Sequence, residues 1–160
     1  MSDSEFVTRF GGIYEHSSWV AERAEVHLGT SHAPGEIARV MADCVDNADP
    51  GLQLELIRAH PDLAGKAEVA GELTVESTTE QASAGIAQCT PAEFEQFQTL
   101  NAQYKEKFGF PFVMAVRNSS RREILDSFDR RLQNDYGDEF ETALVEIHTI
   151  ARLRLEAMGL

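Results

Sequence analysis

Residues 108–116 read FGFPFVMAV, and whether this run is a buried strand or a link between helices decides the fold class. Its apolar content suits a strand inside a sheet. Gly109 and Pro111 oppose that reading, because proline has no amide hydrogen for a sheet ladder and glycine marks a break. The run is therefore expected to be an extended, buried connection. Upstream, Thr90-Pro-Ala-Glu93 has the form of a capping box with Pro91 in the first-turn position. The helix it opens carries Phe94, Phe97, Leu100, Tyr104 and Phe108. Downstream, Ser120-Arg-Arg-Glu123 starts another helix, and Gly137-Asp138 precedes the last.

The same signature runs through the rest of the chain, and no segment shows a convincing strand alternation. A short helix is expected near Ser4–Phe10 and a second from about Ser17. In a third, after Pro34, Ile37, Val40, Met41, Cys44 and Val45 recur at helical spacing. LQLELIRAH opens after Asp49-Pro50-Gly51 and stops at His60. A loop to about Glu76 follows, then Ser77-Thr-Thr-Glu80 offers a second capping box with Ser77 as N-cap. The expected fold is all-α: one domain over residues 1–160, a bundle of about seven or eight helices.

With 14 Lys and Arg against 27 Asp and Glu, the formal net charge is −13, a field that repels nucleic acid and anionic membrane surfaces. An anionic substrate would need a local arginine or helix N-terminus to hold it against that field. Cys44 and Cys89 lack metal-ligand spacing and read as reduced core thiols, which with the absence of a signal-peptide pattern suits the cytoplasm. No apolar run approaches membrane-spanning length. The HExxH, CxxC, phosphate-loop and GxSxG patterns are all missing from the sequence, so no metal site is expected.

Three places break the helical pattern. In RAHPDLAGK, residues 58–66, His60 ends an apolar helix and Pro61 restricts the backbone behind it. That is either a helix stop with an incidental histidine or a rigidly held acid–base group. Arg154 falls on the inward stripe of the last helix, formed by Phe140, Leu144, Ile147, Ala151 and Met158. It needs a structural ion pair, a stem that snorkels outward, or a ligand. In VESTTEQASAG, Glu80 either caps its helix or faces His60, and Gln81 presents an amide suited to a urea or cyclic amide. His16, His27 and His32 lie in polar or helix-end contexts, and His148 at a core edge.

Taken together, HPDLAGK, ESTTEQASAG, NAQYKEKFGFPFVMAVRN and the terminal ARLRL closely resemble the 2-oxo-4-hydroxy-4-carboxy-5-ureidoimidazoline (OHCU) decarboxylases of urate breakdown. The resemblance runs from EHSSWVAERA to ARLRL, with the motifs in the same order and at similar spacing. It implies an all-helical enzyme without metal or organic cofactor, converting OHCU to (S)-allantoin and CO2. By motif, His60 matches the catalytic histidine and Glu80 its acidic partner. Pro61, Ser77, Gln81 and Arg154 match substrate-binding positions, and the backbone of Phe112, Val113, Met114, Ala115 and Val116 matches the loop that grips the ring. The implied partner is the small ureidoimidazoline, with a homodimer also compatible. A non-catalytic helical interaction module and a hydrolase of a related ureide are the competing readings.

Overall fold

A computed structural model of the chain describes residues 3–28, 33–63, 80, 90–117 and 119–158. Among these residues there are seven helices and no strand: α1 (Asp3–Phe10), α2 (Trp19–Leu28), α3 (Pro34–Asp46), α4 (Pro50–Arg58), α5 (Pro91–Phe108), α6 (Arg121–Arg131) and α7 (Tyr136–Ala157). The fold class is all-α, as the sequence predicts. The chain divides into two compact units. One comprises Met1–His60 with Ile147–Leu160, the other Pro61–Glu146.

In the first unit, the inward faces of α1 to α4 bury Phe6, Phe10, Val20, Ile37, Met41 and Leu56, joined by Ile147 and Leu155 of α7. The second helix starts at Trp19 rather than at Ser17. Just ahead of it, His16 has a left-handed φ of 47°. This kink leaves His16 exposed while Glu15 is buried. Helix α4 is capped by the Asp49 side chain, which accepts from the Leu52 amide at 2.9 Å, and Pro50 fills its first turn.

In the second unit the capping box at Thr90 forms as read. Thr90 Oγ1 accepts from the Glu93 amide at 3.1 Å, and Glu93 accepts from the Thr90 amide at 3.0 Å. Helix α5 ends where Gly109 takes a φ of 77°, a left-handed cap that costs little without a side chain. The run after Gly109 is neither helix nor strand. It buries Phe110 and Phe112, the latter stacked on Phe128 of α6 with ring centroids 3.8 Å apart. Helix α7 begins at Tyr136, ahead of Gly137-Asp138, because Asp135 Oδ1 accepts from the Asp138 amide at 2.8 Å and caps the first turn. Phe140 is only half-buried, and Met158 lies past the helix end, exposed, so the expected inward stripe is narrower than it looked. Cys44 is a free, half-buried thiol rather than a core residue, and Cys89 lies outside the described residues.

The capping box yields a direct test. Thr90→Ala removes one hydrogen bond of the pair and should cost about 1 kcal/mol in urea unfolding, while Thr90→Ser should keep most of it.

Candidate active site

His60 follows the C-cap of α4, Ala59, and is 8% exposed. The last carbonyls of a helix lack partners, and the residue that would next supply an amide is Pro61, which has none. The helix end is closed from His60 instead. Its amide donates to the Ile57 carbonyl at 3.2 Å, and its ring Nδ1 lies 2.9 Å from the Leu56 carbonyl oxygen. A carbonyl oxygen only accepts, so Nδ1 carries the hydrogen. In the neutral ring this leaves Nε2 with the lone pair, as the acceptor.

The ring's charge state follows from its surroundings. Burial pushes its pKa down from 6.5 to about 4. The Leu56 carbonyl and the Glu15 carboxylate oppose that shift, and the Arg154 guanidinium adds to it. Burial wins, and His60 is neutral at ordinary pH.

Glu15 and Arg154 form the buried partner pair of this unit. Arg154 Nη2 donates to Glu15 Oε2 at 2.8 Å, with the two side chains 5% and 1% exposed. Arg154 Nη1 reaches the Gly12 and Ile13 carbonyls at 3.3 and 3.4 Å. The arginine on the apolar stripe therefore has a structural ion pair. Glu15 sits in a connection without periodicity, and nothing in its local sequence marks it as buried. His148, at the core edge as expected, accepts from the Tyr14 hydroxyl at Nδ1 (2.8 Å) and faces Asp46 Oδ1 through Nε2 (2.9 Å).

The remaining candidates lie in the second unit or outside the described residues. Pro61 is half-buried, and Glu80 is helical and half-buried. Ser77, Gln81 and His32 lie outside the described residues. In the run Phe112–Val116, Phe112, Val113 and Val116 are buried, and Met114 and Ala115 are half-buried. Arg131 of α6 holds this run: its Nη1 donates to the Val113 carbonyl at 2.6 Å, and its guanidinium lies 4.2 Å from the Phe112 ring centroid. Its charge is met by Glu139 of α7, 0% exposed, at 2.9 Å from Arg131 Nε. Glu139 also accepts from the Tyr104 hydroxyl and from Asn134 Nδ2, the latter at 2.9 Å. Arg131 had a sequence signal, since it stands at i+7 and i+3 from the buried Ile124 and Phe128. Glu139 had the matching one, four residues before the buried Ala143.

Among the described residues, no group of three or more His, Cys, Asp or Glu is placed to hold a metal ion. No helix there is long and apolar enough to cross a membrane.

The fold and these buried, paired charges define an all-helical protein with a buried histidine whose Nδ1 is held by a helix-end carbonyl. The family model of OHCU decarboxylases matches residues 1–156. The chain belongs to the OHCU decarboxylase family and is an enzyme, a decarboxylase. It is 45% identical over 155 residues to the 2-oxo-4-hydroxy-4-carboxy-5-ureidoimidazoline decarboxylase of Haloferax volcanii, covering 97% of this chain and 89% of that protein. Among solved structures it resembles an (S)-allantoin synthase, with a TM-score of 0.78 and 32% identity over 98% of this chain and 50% of that one. An OHCU decarboxylase crystallised in the presence of (S)-allantoin shares the fold, with a TM-score of 0.76 and 22% identity over 99% of this chain and 98% of that one.

The depressed His60 pKa has a consequence for stability. In the unfolded chain the ring titrates near 6.5, so between about pH 4 and 6.5 the unfolded state binds more protons than the folded one. Stability from the neutral ring is fully present above that window and is lost as pH falls through it. Urea midpoints at pH 7, 5.5 and 4.5 should fall more steeply for the wild type than for His60→Asn. The expected difference is up to roughly 1.4 kcal/mol per pH unit within the window.

Proposed function

We propose that this chain decarboxylates OHCU to (S)-allantoin and CO2 without a cofactor, in urate breakdown in the cytoplasm. The observation that carries the reading is His60, a buried neutral imidazole whose Nδ1–H is committed to Leu56, leaving Nε2 to move protons.

In the reaction the bond from ring carbon to carboxylate breaks and CO2 leaves. The electron pair enters the substrate's own conjugated imidazoline, so the protein need not supply a sink. The hydroxyl on that carbon gives up its proton to become the ring carbonyl. The imine nitrogen that takes up the electron pair receives a proton, and the adjacent carbon receives another that fixes the new stereocentre. One proton in all replaces the lost carboxylate. The protein's task is then to orient the ring and control proton positions. His60 Nε2 takes one of these protons, with Glu80 as its acidic partner. Arg154 meets a carboxylate or ureido oxygen. Its pairing with Glu15 suits it to this as a set of directed donors rather than as an unpaired buried charge. Ser77 and Gln81 bind the polar edges, Pro61 lines the site, and the backbone of Phe112–Val116 grips the ring. The relative from Haloferax volcanii and the (S)-allantoin synthase structure support the substrate and the product.

The test uses OHCU generated freshly from urate, with circular dichroism following allantoin. Rapid formation of one enantiomer is expected with the wild type. His60→Asn should reduce the rate at least about a hundredfold, the scale of general acid–base catalysis. Slow racemic decay with the wild type would leave the interaction-module reading. Near-normal activity of His60→Asn would remove His60 from the mechanism.

A further inference from the structure

The run Phe112–Val116 has no secondary structure to fix it, yet a backbone that reads a small ring must hold its peptide groups still. Two side chains from different helices meet that need. Arg131 of α6 donates through Nη1 to the Val113 carbonyl at 2.6 Å and lies 4.2 Å from the Phe112 centroid. Glu146 of α7, half-buried, accepts from the Ala115 amide. The two anchors bracket Met114.

We infer that Arg131 and Glu146 are positioning residues for the decarboxylation, clamping the peptide groups on either side of Met114 so that the stretch meets the substrate ring in a set geometry. The inference rests on the reading of Phe112–Val116 as the ring-gripping stretch. Arg131 suits this work as lysine would not. Its Nε and Nη2 both lie 2.9 Å from Glu139 Oε2, which leaves Nη1 for Val113. A single ammonium cannot span both partners with that planar geometry. Glu139, buried with Tyr104 and Asn134 donating to it, fixes the guanidinium in turn. The clamp is thus an ordered chain of contacts from α5, α6 and α7 to the loop.

Three variants test it, with KM and kcat measured on freshly generated OHCU and amide hydrogen exchange measured across residues 112–116. Glu146→Ala and Arg131→Lys should each raise KM about tenfold, the scale of one lost hydrogen bond. The value of kcat should stay within about threefold, the pattern of lost uniform binding. Exchange at Val113 and Ala115 should quicken. Glu146→Gln keeps an oxygen that accepts from Ala115 and should restore both readouts. A purely structural role would instead lower kcat in step with the loss of folded protein, at unchanged KM, and would overturn the inference. So would an unchanged KM in Glu146→Ala, a half-buried position at which the fold should survive. With the wild type active, these results sink the clamp alone. An inactive wild type sinks the functional reading and the clamp with it.

Discussion

The bond between His60 Nδ1 and the Leu56 carbonyl is the constraint on which the rest of the site depends. A helix C-terminus ordinarily favours a protonated histidine, because its exposed carbonyls carry partial negative charge. Here the carbonyl's pull toward protonation loses to the cost of placing a charge in a dry interior. What remains of the carbonyl's influence is direction rather than charge. It chooses the tautomer and so decides which nitrogen keeps the lone pair. Pro61 contributes by withholding an amide, which leaves the helix end to be closed by His60 itself.

The chain carries a formal charge of −13 and still buries two arginines. Each is met by a buried carboxylate, Arg154 by Glu15 and Arg131 by Glu139. Burying an unpaired charge costs several kcal/mol or more, so neither arginine would persist inside without its partner. The pairing has a chemical effect as well. A guanidinium carries five donors in a rigid fork, and a carboxylate on one side leaves others at fixed angles. In Arg131 that remaining capacity holds the Val113 carbonyl. In an acidic protein, such paired arginines offer directed hydrogen bonds to an anion where long-range attraction is lacking.

Much of the fold was legible because its signals are local. The capping box at Thr90 and the glycine stop at Gly109 depend on a few adjacent residues, and both formed as read. The start of α2 falls at Trp19, two residues past Ser17, and the left-handed turn at His16 ahead of it leaves no compositional mark in a residue other than glycine. The start of α7 was misplaced because Asp135 caps two residues ahead of Gly137. In the site, His60 and Arg154 were visible as residues out of place on apolar patterns. Arg131 and Glu139 obeyed the same rule on their own helices. Glu15 did not, because a carboxylate in an aperiodic connection becomes buried only through the partner that folding brings to it. Nor did the sequence specify which nitrogen of His60 would be protonated, since that depends on one carbonyl of the preceding turn.

The most direct test of the account is a nitrogen-15 NMR titration of the His60 ring in the free protein. The expected spectrum shows a protonated Nδ1 and an unprotonated Nε2 from neutral pH down to about pH 5, with the second proton arriving only near pH 4. A ring protonated on Nε2 at neutral pH, or one that titrates at the ordinary value near 6.5, would contradict it.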